Sequence, residues 1–301
     1  MNNLKIKYEI FNEKFPLNDF DRGNKEIYDD WPVTYILHNN KNIYVGETVH
    51  LLNRIKNHEK NKKDDNYEFV KIIYSEYFNK SAIYELETEL IRLFSADQKY
   101  NIKNTKLNQE PHNYYQKKYY GKKMLKGIWE DLQKNLGLTT YDILINKEIF
   151  KYSPYTAFSE EQINVIKNII IKLALATNET NKLDVENYGE DFSEYTKTEK
   201  NFFIISGAPG TGKTLLAIKL IEQLKKLELN YKKIAVISRG SSLITINKIL
   251  KDLKIKGINF PSMSSLCENE KEYYDLILVD EGQLLLKSDP RNQNVNVLML
   301  I

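Results

Sequence analysis

The sequence predicts an α/β chain in two parts: a small mixed α/β domain, then a partial parallel-sheet domain built behind a glycine-rich loop. Three observations predict it. Residues 31–108 alternate short β-like runs with helically spaced apolar residues. An apolar run ending at Ser206 meets Gly207-Ala208-Pro209-Gly210-Thr211-Gly212-Lys213-Thr214, and a helical run follows. From Asn201 onward, apolar runs suited to buried parallel strands (202–206, 233–238, 276–279) alternate with helical stretches (213–227, 243–253).

In the first part, 33–37 and 42–45 read as two strands of a hairpin, with His38 to Lys41 as a polar turn. Leu51, Leu52 and Ile55 carry helical spacing, and 68–75 is a third strand. Ser81 reads as the N-cap of a helix through Phe94. Residues 99–126 are basic, with eight lysines against one acid and five interleaved tyrosines; 109–150 reads as a connector, and 177–200 as an acidic loop insertion within a domain spanning 151–301.

Composition removes several classes. With 301 residues, 42% hydrophobic and 28% charged, the chain fits about two globular domains. Its net charge of +3 is no global polycation, so contact with nucleic acid must come from local clusters. Cys267 is the only cysteine, which excludes a disulfide framework and a cysteine-rich zinc site. The stretch 163–176 is interrupted by Asn164, Lys167, Asn168 and Lys172 and is too polar to span a membrane. With a charged start that lacks a signal-like apolar core, this gives the expectation of a cytoplasmic protein with no membrane partner.

The loop from Gly207 to Thr214 fits G-x-x-x-x-G-K-[ST] in the strand–loop–helix setting that the motif requires. Glycines let the backbone N–H groups turn toward phosphate oxygens, and the helix start adds its dipole. Lys213 is expected at the β- and γ-phosphates and Thr214 on Mg²⁺. The strand 276–279 ends in Asp280 and Glu281, expected to hold Mg²⁺ through water and to orient the attacking water. From about residue 150 to 286 the chain resembles the start of a superfamily 1 engine, the Schlafen group-3-like DNA/RNA helicase domain, with a RecA-like sheet. That resemblance makes Gln162, in Phe158-Ser159-Glu160-Glu161-Gln162, the adenine reader, and places Arg239 and Ser241 on a nucleic-acid backbone. A solvated helix residue is the alternative for Gln162. The tail 292–301 reads unlike the family's continuation, and the second RecA-like half with its arginine finger is not seen. The expectation is therefore ATP binding with little turnover, or a partner chain that supplies the other half.

Tyr35, Tyr44 and Gly46 lie on the hairpin, Arg54 follows Tyr44 by ten residues, and His58 shares a helix face with Arg54. Glu87 sits on a later helix, and Tyr100-Asn101 follows. In this order and spacing, residues 31–108 resemble the GIY-YIG nucleases. The resemblance implies Tyr44 as general base with Tyr35 beside it, His58 assisting proton transfer and Asn101 orienting the site. The chemistry agrees: one carboxylate, Glu87, can hold one Mg²⁺ or Mn²⁺ with waters, and Arg54 can grip a phosphate bidentately. The alternatives are strand tyrosines among 21, a solvated helix face, and one exposed acid among Glu85, Glu87 and Glu89. Two positions depart from the family: Thr34 replaces the first glycine, and Glu47 stands where some relatives carry lysine.

In the basic segment, Lys117, Lys118, Lys122 and Lys123 are candidates to track phosphates while tyrosines stack on bases; a surface helix packing its tyrosines is the equal alternative. The function expected is a metal-dependent endonuclease on DNA, with RNA not distinguished, coupled to an ATP-binding helicase-like module. The alternative is a nucleic-acid and ATP-binding protein, or a helicase fragment, without turnover.

Overall fold

A computed structural model describes residues 7–17, 30–60, 66–110, 113–114, 117, 122–197, 201–208, 210–238, 240–262, 265, 273–280 and 296–300, the last five and Lys122 as backbone only. Pro209, Arg239, Glu281, Lys118, Tyr115, Tyr119, Tyr120 and Cys267 lie outside the described residues. The chain divides into two compact units, one of residues 1–104 and 110–157, the other of 105–109 and 158–301. Among the described residues no helix is long and apolar enough to cross a membrane.

The first unit is a five-stranded sheet of β1 (Glu9–Lys14), β2 (Val33–His38), β3 (Asn42–Thr48), β4 (Phe69–Tyr74) and β5 (Asn101–Ile102), in the order β1-β4-β2-β3-β5. All neighbours are antiparallel except β3 and β5. Every residue of β2 is buried, so both faces of the sheet are covered. On one face Val33, Tyr35, Leu37, Val70 and Ile72 form a core with Leu51 and Ile55 of α1 (Leu51–Lys60). On the other, Thr34 donates to the Ile83 carbonyl of α2 (Lys80–Asp97) at 3.3 Å. Thr34, one of the departures from the family, thus ties β2 to the turn of α2 before Glu87. The hairpin turn is built by Asn39, whose side-chain oxygen accepts from the backbone N–H of Lys41 and Asn42 at 2.8 and 2.7 Å.

The structure corrects one expectation and adds detail to the sequence at two other places. The cap of α2 is Asn79, not Ser81: its side chain accepts from Ala82 N–H, earlier than the apolar stripe suggests. Strand β1 has no counterpart in the sequence reading, because an edge strand buries little and its charged alternation hides the period. Residues 109–150, read as a connector, carry secondary structure. They contain α3 (Lys122–Leu136), α4 (Tyr141–Leu144) and α5 (Glu148–Lys151), and Trp129 of α3, fully buried, meets Phe94 of α2 edge-on at 5.0 Å.

The second unit has a parallel sheet of β6 (Phe202–Ile205), β7 (Ile234–Ile237), β8 (Ile258–Asn259), β9 (Leu276–Val279) and β10 (Asn296–Leu300), ordered β6-β10-β9-β7-β8. Within the tail that reads as aberrant in sequence, residues 296–300 form β10, paired in parallel with both β6 and β9. Nothing local marks it, because its partners lie far back in the chain. Helix α6 (Glu160–Thr177) opens with a capping box in which Ser159 and Gln162 exchange hydrogen bonds, and its buried isoleucines pack on the core. The segment 177–200 is not loop throughout: it holds a 3₁₀ turn (Thr180–Lys182) and α7 (Val185–Tyr188), whose Asn187 and Tyr188 are buried. Helices α8 (Lys213–Lys226) and α9 (Gly240–Asp252) complete the unit.

Candidate functional site

In the first unit the pairing register decides the geometry. Tyr35 on β2 faces Gly46 on β3, and Leu37 faces Tyr44, so the two tyrosines are diagonal neighbours on one face. Their rings lie 6.1 Å apart. Arg54 and His58, one turn apart on α1, reach the same place. Arg54 Nε donates to the Tyr35 hydroxyl at 3.2 Å, and its Nη2 to the Tyr44 hydroxyl at 3.3 Å. The Tyr35 hydroxyl lies 2.9 Å from His58 Nε2, and the His58 ring stands edge-on to Tyr44 at 4.7 Å. Two of the five guanidinium N–H groups are committed to the phenols, including the Nε side of the fork. The outer edge remains for a phosphate, so the grip differs from a free fork.

Gly46 is required by close approach. A Cβ there would lie 2.4 Å from both the Cζ and the hydroxyl of Tyr35, whose side chain has nowhere to go. Gly46→Ala is expected to destabilise the chain by about 1–3 kcal/mol and to displace the Tyr35 hydroxyl. Denaturant unfolding measures it, and a midpoint equal to wild type would show that the ring is not locked over this position.

Burial raises the Tyr35 phenol well above its ordinary range. Burial raises Tyr44 as well, with Arg54 drawing it down and Glu87 pushing it up. Glu87 is 2% exposed, and its charge is felt at the Tyr44 hydroxyl. A buried carboxylate whose charge reaches a phenol fits a hard cation held largely through waters. Among the described residues no three His, Cys, Asp or Glu side chains gather to hold a metal. Glu47 does not enter: strand alternation puts it on the face opposite Tyr44, and the cation on that hydroxyl is Arg54.

Burial, and then the Arg54 charge, lower His58 to about 4; burial, and then Lys71, lower His38 to about 4. Both imidazoles are neutral near pH 7. The unfolded chain takes these protons near 6.5, the folded chain only near 4. Between those values the unfolded state binds more protons, so stability falls as pH drops through that window. The thermal midpoint is expected to fall from about pH 7 to about pH 5, and a His38→Gln, His58→Gln double variant should lose less over that step. An equal loss in the double variant would take the imidazoles out of the account.

Asn101 is not drawn into this cluster. It sits opposite Asn42, toward the hairpin turn, and donates to Asn42 Oδ1 at 3.5 Å. Sequence reasoning missed Asn104, buried at 2% exposure, which accepts from Val45 N–H at 3.1 Å and donates to the Val45 carbonyl at 2.7 Å. The available signal is a second asparagine three residues after the first. In the basic segment, the tyrosines the structure describes pack internally: Tyr100 meets Phe94 and His38, and Tyr114 donates to Glu85 at 2.6 Å. Lys99 and Lys126 bind within the unit, to the Leu136 carbonyl and Asp142. Lys123 is exposed, and Lys117 lies 5.8 Å from the Tyr114 ring.

In the second unit, β6 leads into the phosphate loop and the loop into α8. Gly210 and Gly212 take φ of +81° and +82°, which other residues rarely adopt. Lys213 Nζ donates to the carbonyls of Gly207 and Ala208 at 2.8 and 3.1 Å, and Thr211 Oγ1 to Ala208 at 2.8 Å. Thr214 Oγ1 donates to Asp280 Oδ2 at 3.2 Å, bringing together the two groups expected at Mg²⁺. Ser238, in the stretch that the resemblance assigns to a nucleic-acid backbone, approaches the same oxygen at 3.4 Å, because β7 lies beside β9. A hydroxyl on a buried carboxylate at the mouth of a phosphate loop fits nucleotide-bound Mg²⁺. Gln162 Nε2 donates to the Thr211 carbonyl at 2.9 Å, joining the start of α6 to the loop. Ser241 is exposed in the first turn of α9.

A tyrosine–arginine–histidine cluster with a buried acid, on one side, and a phosphate loop at the edge of a parallel sheet, on the other, define a nuclease-type domain joined to a P-loop domain. Residues 32–101 match the GIY-YIG catalytic domain, and residues 200–299 match the Schlafen group 3 DNA/RNA helicase domain; the chain contains both. The second match extends into β10, so the tail as far as residue 299 lies within the matched stretch. No curated protein and no solved structure matches the chain.

Proposed function

We propose that the chain is a metal-dependent endonuclease that hydrolyses DNA phosphodiester bonds, and that its second domain binds ATP–Mg²⁺ and nucleic acid. The observation that carries this is the network in which Arg54 joins the Tyr35 and Tyr44 hydroxyls and Tyr35 reaches His58 Nε2, with the charge of buried Glu87 acting on Tyr44. Glu87 would hold Mg²⁺ or Mn²⁺, which supplies charge stabilisation at the phosphoryl oxygens and a more acidic water. The outer edge of Arg54 binds the scissile phosphate. Water attacks phosphorus, the bond to one ester oxygen breaks, and that oxygen leaves as an alkoxide that takes its proton from solvent water. The proton of the water passes to Tyr44 as Tyr44 passes its own to Tyr35 and Tyr35 to neutral His58; the two phenols lie within hydrogen-bonding influence of each other.

The test is cleavage of supercoiled plasmid by the full chain with Mg²⁺, with Mn²⁺ and with chelator, and of an RNA of matched length. Metal-dependent cutting of the plasmid is expected. Binding of DNA without cutting under every metal condition would favour the reading in which the chain only binds.

We propose that DNA runs along Lys117, Lys118, Lys122 and Lys123, the basic run of the sequence. Neutralising all four should weaken binding and lower the salt slope by roughly 0.9 for each phosphate that is no longer neutralised. An unchanged slope would return the segment to a packing role.

A further inference from the structure

Asn104 and the peptide after it occupy a position that the functional reading does not use. Strand β5 pairs with β3 only at Asn42 and Ile43, and Lys103 N–H donates to Ile43. Beyond that point the Asn104 side chain continues the ladder in place of a backbone, with its amide giving and taking one hydrogen bond each at Val45. Val45 is the residue between Tyr44, whose hydroxyl lies in the cluster, and Gly46, over which Tyr35 packs. The very next residue after Asn104 belongs to the other unit. The Thr105 carbonyl accepts from Gln223 Nε2 at 3.2 Å, and Leu107 N–H donates to Asn187 at 3.0 Å. Gln223 is fully buried, and its amide is oriented by Tyr188, which donates to Oε1 at 2.9 Å, and by Glu222, which accepts from Nε2 at 3.1 Å. Gln223 lies on α8, the helix that starts at Lys213 of the phosphate loop.

We propose that Asn104 is a positioning residue for the Tyr35–Tyr44 pair, and that Gln223 and Thr105 make its hold on Val45 respond to nucleotide at the phosphate loop. Lys213 Nζ rests on two loop carbonyls. Phosphate oxygens compete for that ammonium more strongly than neutral carbonyls do. Releasing it resets the start of α8. A helix moves as a rod, so Gln223, about 15 Å along it, carries the displacement to Thr105, one peptide bond from Asn104. The proposal rests on the nucleotide-binding and nuclease readings, and its test separates them.

The experiment is hydrogen exchange of the full chain, with and without saturating non-hydrolysable ATP analogue and Mg²⁺, read over residues 43–48. The same samples are titrated calorimetrically for nucleotide and assayed for plasmid cleavage. In wild type the nucleotide should change exchange at 43–48 by about threefold or more and cleavage by about fivefold or more. Gln223→Met, which keeps volume but not the hydrogen bonds, should bind the analogue and transmit neither change. Asn104→Asp, which can accept from Val45 N–H but not donate to its carbonyl, should lower kcat with KM for DNA nearly unchanged. Unaltered exchange at 43–48 with nucleotide bound, the same change in Gln223→Met as in wild type, or no nucleotide binding would each overturn the proposal. Transmitted exchange in a chain that cuts no DNA would support the linkage and remove the nuclease reading.

Discussion

Glu87→Ala in the full chain is expected to lower metal-dependent DNA cleavage by about 10³-fold or more, equivalent to about 4 kcal/mol of transition-state stabilisation. The reason is that Glu87 is, among the described residues, the one carboxylate whose charge acts on the Tyr44 phenol, and it is almost fully buried. Tyr35, Tyr44, Arg54 and His58 supply no second anion, so nothing in the cluster can hold the cation in its place. Removing the acid should also ease the Tyr44 phenol downward, since the Glu87 charge pushes it up. That change alone would help a base, so a loss of activity isolates the role in holding metal. Far-ultraviolet dichroism and DNA binding control for folding, and Glu87→Gln keeps the volume of the side chain. Cleavage by Glu87→Gln within a factor of a few of wild type, at the same metal concentration, would move the metal site elsewhere.

Lys213→Ala is expected to weaken binding of ATP–Mg²⁺ by about 10- to 100-fold, the worth of a charge-assisted hydrogen bond. The ammonium sits inside the loop, held by the Gly207 and Ala208 carbonyls, and is the cation within that curl. Its loss removes both the charge that meets the phosphates and a tether that keeps the loop closed. Calorimetry on the full chain measures the affinity, and the nucleotide-free thermal midpoint shows whether the loop alone has changed. Equal affinities would place the nucleotide away from this loop and would leave the Thr214–Asp280 contact as a structural feature.

Much of the site was legible because it is local. The glycines and lysine of 207–214, the apolar runs before them and before Asp280, and the spacing of Tyr44, Arg54 and His58 are short-range patterns, and backbone conformation follows such patterns closely. Glu87 was legible as one of three acids on a helix; only burial singled it out, because Glu85 and Glu89 bind Tyr114 and Arg92 instead. Asn101 and Asn104 look alike in sequence, three residues apart at the end of the first domain. Which of them reaches Val45 depends on where β5 stops pairing, a property of the sheet and not of either residue.

By itself the sequence determined the kinds of group that do chemistry, their order, and the helices and strands that carry them, since each depends on neighbours within a turn or two. The tertiary structure decided the rest. It set Tyr35 against Gly46, turned Thr34 from a replaced glycine into a tie to α2, and put Ser238 beside Asp280. It also made a central parallel strand of residues 296–300. Each is a pairing between segments distant in the chain, chosen by which arrangement buries the most apolar surface while satisfying every backbone group. No periodicity within one segment records that choice.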